Sequence, residues 1–210
     1  SNRIQARRLV ERGRKLVLSN PVEDVPFNIT RLSHVVLTSR DLDATRYFYE
    51  AGLGLEVTEH SATHLCVRAI EEVAHHSLRF EKAAHDRPGE VRAIGYRMFS
   101  DDDLRRAFDW FSARGESPEW VERPFQGLTL RIIDAVGVPV EFTATMPGPE
   151  NRMRHFHTHA GGKLVFLDHV QVATHDVQAA FDWYTSIGSR LTEYTAADAT
   201  DDPPARSPPP

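Results

Sequence analysis

Hydrophobic and polar residues alternate along Arg31–Leu37, as on a strand with one buried face, and then follow helical spacing through Leu42, Tyr47 and Phe48. The same strand-then-helix pattern returns twice further along the chain. Corresponding positions in the first and last copies are His34 and His169, Asp41 and Asp176, and Tyr49 and Tyr184. The second and third copies share Phe-Asp-Trp followed by an aromatic residue, at 108–111 and 181–184. This repetition predicts a chain built from one small unit used three times.

Each of the first two copies is followed by the signals of three further strands. Asp41 is placed to cap the first helix, which is predicted to run to about Glu50 and to end at Gly52 and Gly54. The strands predicted for the first unit are Arg31–Leu37, Leu55–Glu59, His64–Arg68 and His76–Phe80. The second unit has a predicted strand at Ala93–Phe99, a helix at Asp103–Ala113, and strands at Trp120–Arg123, Leu128–Ile133 and Val138–Thr143.

Both units have the order βαβββ, which predicts an α+β fold class. Two such units can bury their apolar sheet faces in one compact module, which we place at residues 29–145. Residues 1–28 are predicted to be a basic helical arm and a linker, because Arg and Lys residues are interleaved there with apolar ones.

The third copy is incomplete. A linker at 146–163 leads to a predicted strand at Lys163–Ala173 and a helix at Asp176–Thr185, so residues 164–196 form the first βα of a second module. Residues 197–210 are predicted to be a disordered tail, because five of the last eight residues are proline, which cannot donate into a sheet. The strand and helix of the third copy have apolar faces without an assigned partner, and the aromatic residues at 181–184 favour a homo-oligomer.

Composition limits the classes of function. The apolar fraction of 40% and the charged fraction of 26% are those of a globular protein. The net charge of −5 argues against a nucleic-acid partner, and the chain has no apolar run of membrane-spanning length. The single cysteine, Cys66, excludes an intrachain disulfide and fits a reducing compartment, so we expect a cytoplasmic protein with no membrane partner.

Four segments carry a family resemblance. They are Ser33-His-Val-Val-Leu37, Gly52-Leu-Gly54, Leu65-Cys-Val-Arg68 with the following His75-His76 pair, and Leu167-Asp-His169. In this order they resemble the vicinal oxygen chelate (glyoxalase-like) superfamily. Within it, they resemble the type I extradiol ring-cleaving dioxygenases of the catechol 2,3-dioxygenase and homoprotocatechuate 2,3-dioxygenase kind. The resemblance spans about residues 26–195.

The resemblance implies extradiol (meta) cleavage of a catechol-type diol by O₂, in aromatic catabolism, at a non-haem Fe(II) or sometimes Mn(II). The family holds this metal with two histidines and one glutamate from the first, fifth and eighth strands of its second module. His169 matches the first ligand, whereas the other ligands and the acid–base histidine have no counterpart here. Gln171, on the same strand face, is a candidate for substrate contact. We therefore expect a truncated relative that is inactive alone, ended early by a deletion, a frameshift or the choice of cloned segment.

Two further hypotheses remain open. The positions of the first module that are equivalent to the ligands are His34, Tyr96 and Glu141, so His34 and Glu141 are an alternative metal site. The other hypothesis is a non-catalytic module that acts in oligomerisation or small-ligand binding. His75 and His76 are expected to alternate across a strand with only one facing the interior. Cys66 is expected to be a small buried residue.

Overall fold

The computed structural model describes residues 8–11, 14–17, 25–84 and 89–192, with side chains from residue 25 onward. The chain divides into two compact units: one is Pro26–Val172, and the other combines Ser1–Val25 with Ala173–Pro210. None of the helices in the described part of the chain is long and apolar enough to cross a membrane. The predicted tail at 197–210 lies outside the described residues.

The unit Pro26–Val172 is built on one mixed sheet of eight strands. The chain's strands are β1 (Arg8–Glu11), β2 (Arg14–Val17), β3 (Ile29–Ser39), β4 (Glu56–His60), β5 (His64–Arg68), β6 (Leu78–Lys82), β7 (Val91–Met98), β8 (Glu119–Val121), β9 (Thr129–Ile133) and β10 (Pro139–Thr143). The sheet order is β4-β5-β6-β3-β7-β10-β9-β8. The strands β3 and β7, which open the two repeats, pair antiparallel at the centre, and each has a parallel partner, β6 or β10. The predicted α+β fold of paired βαβββ units is confirmed.

The strand register separates the two faces of this sheet. Leu65, Val67 and Phe80 are buried with Leu42 of the first helix in one hydrophobic cluster. The intervening residues point the other way, because side chains alternate along a strand. We call this opposite surface the polar face. It includes, from β5, β6, β3, β7 and β10 in that order, Cys66, Arg79, His34, Gly95 and Glu141. Arg79 is opposite Val36, which shares a face of β3 with His34.

The helices lie where the repeat pattern predicts them. α1 (Leu42–Tyr47) continues as one π-helical turn, Phe48–Gly52, and α2 spans Asp101–Ala113. Asp41 caps α1 as predicted, because its carboxylate accepts hydrogen bonds from the amides of Asp43 and Ala44 at 3.0 and 2.9 Å.

Asp103, in the first turn of α2, is fully buried and anchors the start of β3. Its carboxylate accepts hydrogen bonds from Ser100 Oγ (2.6 Å), Arg106 (2.7 Å) and both nitrogens of Asn28 (3.0 and 3.1 Å). Burial alone would raise the pKa of Asp103, but these donors outweigh it and lower the pKa to about 2.

The strand predicted at Lys163–Ala173 is not formed. The segment follows turns of the first repeat: Leu164 N donates to Leu53 O (3.3 Å), and Val165 O accepts from Glu71 N (2.9 Å). A strand needs a continuous ladder with a neighbour, and no described strand pairs with this segment. The predicted linker also belongs to this unit, because it approaches the turn at Gly54 so closely that a Cβ there would lie 2.0 Å from the Ala160 carbonyl oxygen.

The predicted N-terminal helix is wrong for the part that the structure describes. Residues 8–11 and 14–17 form an antiparallel hairpin, with Arg8 opposite Val17 and Glu11 opposite Arg14. Val10 and Val17 are β-branched residues, which favour strands. The same unit contains α3 (Val177–Ser186), which confirms the third predicted helix; Asp176 caps it through Ala179 N at 2.9 Å.

Candidate functional site

The central strands place an imidazole and a carboxylate together on the polar face. Gly95 of β7 is in register with both His34 of β3 and Glu141 of β10. His34 Nε2 and Glu141 Oε2 are 3.9 Å apart, and both side chains are almost completely buried. The close approach requires glycine between them, because a Cβ on Gly95 would lie 2.1 Å from His34 Cε1.

Tyr96 does not belong to this group, although it was expected to be the third equivalent position. It is in register with Phe142 and stacks on that ring at a centroid distance of 6.0 Å, on the side of the sheet that α2 covers. A shift of one residue along a strand moves a side chain to the other face. The residue of β7 that lies beside His34 and Glu141 is therefore Gly95, which has no side chain to bind a metal.

His34 has a polar neighbour at each ring nitrogen. Gln126 Nε2 lies 3.0 Å from His34 Nε2, and Ser33 Oγ lies 3.1 Å from His34 Nδ1. Gln126 is held in turn by Thr129, whose Oγ1 lies 3.1 Å from Gln126 Oε1. The ring nitrogen of His34 that faces Glu141 therefore also lies beside the Gln126 amide.

Glu141 is paired with a guanidinium. Arg123 Nε and a terminal nitrogen of Arg123 lie 2.8 and 2.6 Å from Glu141 Oε1, whereas Oε2 has no hydrogen-bond partner among the described residues. Burial alone would raise the pKa of Glu141, but the contacts with His34 and Arg123 outweigh it and lower the pKa. The carboxylate of Glu141 is therefore ionised, and the guanidinium of Arg123 balances its negative charge.

A second cluster on the polar face joins Cys66, His75 and His76. All three are buried, and one ligand atom of each lies within 4.8 Å of the others. The two Nδ1 atoms of His75 and His76 are 3.1 Å apart. Burial lowers the pKa of His75 and lowers the pKa of His76 to about 2, and it raises the pKa of the Cys66 thiol to about 11.

The expectation that only one histidine of this pair faces the interior is wrong. Both residues precede β6 and lie in a loop rather than on the strand, so they do not alternate. His75 stacks on Phe125 with a centroid separation of 3.9 Å and an interplanar angle of 2°. The buried position predicted for Cys66 is confirmed.

His169 and Gln171 lie apart from both clusters and are exposed. The side chain of His169 is 82% exposed, and its Nδ1 lies 2.9 Å from an Asp168 carboxylate oxygen. A carboxylate on Nδ1 holds the proton there and leaves Nε2 free as a ligand atom, which is the arrangement that metal-binding histidines commonly have.

The described residues do not provide the donor set of a non-haem iron site. Cys66, His75 and His76 are the only group of three metal-ligating side chains found close together in the described ranges, and this group lacks a carboxylate. His169 belongs to no such group in the described ranges. At His34, the carboxylate of Glu141 is paired with Arg123, and the third position is Gly95. Fe(II) with two histidines and one carboxylate therefore does not fit these residues alone.

The hydrophobic pattern of the sequence does not predict that Arg123 contacts Glu141 or that Gln126 contacts His34. Both lie between β8 and β9, in a segment whose path the alternation of a strand does not predict. The hydrophobic pattern places Glu141 correctly on the polar side of its strand, but no local signal indicates which cation neutralises it.

Comparison with known proteins gives relatives of one kind. The Metapyrocatechase of Geobacillus stearothermophilus is 28% identical over 105 residues, which are 50% of this chain and 31% of that protein. The Manganese-dependent 2,3-dihydroxybiphenyl 1,2-dioxygenase of Geobacillus genomosp. 3 is 23% identical over 178 residues, 79% of this chain and 56% of that protein. The chain thus spans 31% of the length of the first relative and 56% of the length of the second.

The solved structures similar to this chain include dioxygenases as well. The homoprotocatechuate 2,3-dioxygenase of Brevibacterium fuscum, in its complex with 3,4-dihydroxyphenylacetate, superposes with a TM-score of 0.64 at 27% identity and covers 71% of this chain and 47% of that one. The model of the Glyoxalase/Bleomycin resistance protein/Dioxygenase superfamily matches residues 31–142, which are the two βαβββ repeats. The chain belongs to the Glyoxalase/Bleomycin resistance protein/Dioxygenase superfamily.

Proposed function

We propose that this chain is part of an extradiol dioxygenase that cleaves a catechol-type diol with O₂ at a non-haem Fe(II) or Mn(II). One observation carries the proposal: the likeness to a named dioxygenase covers 79% of the chain, more than the two repeats matched by the family model. When bound, the metal would coordinate the diol and activate O₂ towards it. In this proposal His169 is its first ligand and Gln171 a substrate contact.

The state of His169 supports this role. The proton on Nδ1 is directed at Asp168, so the exposed Nε2 has a lone pair available to a metal. A single imidazole does not hold Fe(II), however, and His169 belongs to no group of three metal-ligating side chains in the described residues. The remaining ligands must come from residues that the structure does not describe, from sequence beyond this chain or from another chain. We propose that residues 1–210 alone are inactive.

Two experiments test the proposal. In the first, the encoding DNA is read past position 203 in all three frames. We expect one of these frames to encode strands that carry a histidine and a glutamate. The chain extended by that frame should bind one equivalent of iron after anaerobic loading and give the yellow ring-fission product from catechol or 3,4-dihydroxyphenylacetate. His169→Ala should abolish both, whereas His175→Ala, an exposed histidine near it in sequence, should retain them.

Residues 1–210 alone should retain no stoichiometric iron after desalting and form no product. Stoichiometric iron with ring cleavage by this chain alone would contradict the proposed dependence on further ligands. Absence of any frame with ligand signals would instead favour the non-catalytic alternative, a module for oligomerisation or small-ligand binding.

The first-module alternative, a metal held by His34 and Glu141, has one observation in its favour. Glu141 Oε2 has no partner in the described part of the chain and faces His34 Nε2. Arg123 already supplies the positive charge that a metal would bring, so we propose that the guanidinium takes the metal's place. Metal content should be the same in wild type, His34→Ala and Glu141→Ala. Loss of a bound equivalent in both variants would establish the metal site.

A further inference from the structure

The buried cluster of Cys66, His75 and His76 has no part in the proposed iron chemistry. Cys66 lies on β5 with its side chain on the polar face, and the two histidines reach this face from the loop before β6. We propose that these three side chains bind a borderline-soft divalent cation, Zn(II), through the thiolate and one nitrogen of each imidazole. The proposal rests on none of the residues assigned to iron.

The spacing of the donor atoms supports a tetrahedral ion. With Zn–N bonds of about 2.0–2.1 Å, two imidazole nitrogens on one ion lie about 3.3 Å apart. The Nδ1 atoms of His75 and His76 are 3.1 Å apart, and one ligand atom from each of the three residues lies within a 4.8 Å limit. A thiolate sulfur on the same ion would lie about 3.6 Å from each nitrogen, a distance inside that limit.

The contact between the two imidazoles also suits an ion. Both rings are buried, and their Nδ1 atoms lie 3.1 Å apart. In two neutral rings, one Nδ1 carries the proton of this contact and the other accepts it. An ion bound by both Nδ1 atoms takes the two lone pairs, and the proton of the donor ring moves from Nδ1 to Nε2.

Acidic side chains accompany the cationic ones beside the cluster. Arg79 is in register with Cys66 on the neighbouring strand, and its Nε lies 3.5 Å from Glu81 Oε1, which offsets part of its charge. Glu59 is in register with Cys66 on the other side. Binding releases the thiol proton to solvent, and the resulting thiolate together with Glu59 balances two positive charges.

Co(II) is the direct test, because it takes zinc's place in such sites and a cysteine thiolate bound to it gives a near-ultraviolet charge-transfer band. Cys66 is the single cysteine of the chain, so any such band reports on this residue. Under anaerobic, reducing-agent-free conditions, the band should saturate at one equivalent of Co(II), disappear on addition of Zn(II), and be absent in Cys66→Ser.

Histidine variants complete the test. His75→Gln or His76→Gln should weaken Zn(II) binding by more than about tenfold, since even the loss of outer-shell partners costs that much. The matched control is His155→Gln with His157→Gln, a half-buried and an exposed histidine at the 3₁₀ turn Phe156–Thr158. This control should leave the band unchanged, as should His169→Ala. A wild-type chain without the band, or a band that persists in Cys66→Ser, would overturn the proposal. The wild-type measurement decides the matter even where a histidine variant fails to fold.

Discussion

Acidification should destabilise this protein mainly through His76 in the range just below neutral pH. The ring is buried beside His34 and His75, and its pKa is lowered from 6.5 to about 2. In the unfolded chain the same ring takes up a proton below pH 6.5. The unfolded state therefore binds more protons than the folded state between these two values, and stability rises with pH across this window.

The size of the effect follows from the two pKa values. Stability from His76 is fully present above pH 6.5 and is lost as the pH falls. At about pH 5 the unfolded ring is almost entirely protonated, which costs the folded state about 2 kcal/mol relative to about pH 7.5. Glu141 and Asp103 have lowered pKa values, so their contributions are lost only below their ordinary values of 4.5 and 3.8. The pKa of His75 is lowered too and adds to the loss in the same direction.

Urea unfolding of the metal-free chain, in the presence of a chelator, at about pH 7.5 and about pH 5 measures this loss in wild type and in His76→Gln, which cannot be protonated. The difference between the two pH values should be smaller in the variant by about 2 kcal/mol. His157→Gln, at an exposed position of the 3₁₀ turn Phe156–Thr158, should behave like wild type. If His76→Gln kept the full wild-type pH dependence, the buried neutral imidazole would not be the cause and the reasoning would fail.

Two further predictions concern the packing around the site. Gly95→Ala should cost about 1–3 kcal/mol of unfolding free energy, because the new methyl group would lie 2.1 Å from the His34 ring, whereas Gly52→Ala, with nothing within 4 Å, should cost far less. Chemical denaturation checks both, and equal effects would refute a steric cause. Asp103→Ala should destabilise by about 3 kcal/mol, because it leaves four donors to a buried carboxylate unsatisfied, whereas the exposed Asp102→Ala should cost less than about 0.5 kcal/mol. A melting temperature for the first variant equal to that of the second would contradict the role of Asp103.

The sequence by itself determined the repeated architecture. Alternation along β3 and β7, helix caps such as Asp41, and the return of the same pattern identify two βαβββ units, because these signals depend only on residues a few positions apart. The sequence also indicated the family, because the four segments that resemble it follow one another in the same order along the chain. Sequence pattern also placed His34, Glu141 and Cys66 on their strands.

The tertiary structure decided which of these side chains meet and what each one faces. Whether Tyr96 or Gly95 stands beside His34 depends on the register between β3 and β7, which a shift of one residue inverts. The contact of Arg123 with Glu141 and the burial of both His75 and His76 depend on loops, which follow no period. The segment at Lys163–Ala173 has the alternation of a strand but no strand ladder, because a strand exists only with a neighbour to accept and donate its hydrogen bonds. The sequence pattern thus predicts local secondary structure, whereas the contacts between residues distant in sequence become known only from the tertiary structure.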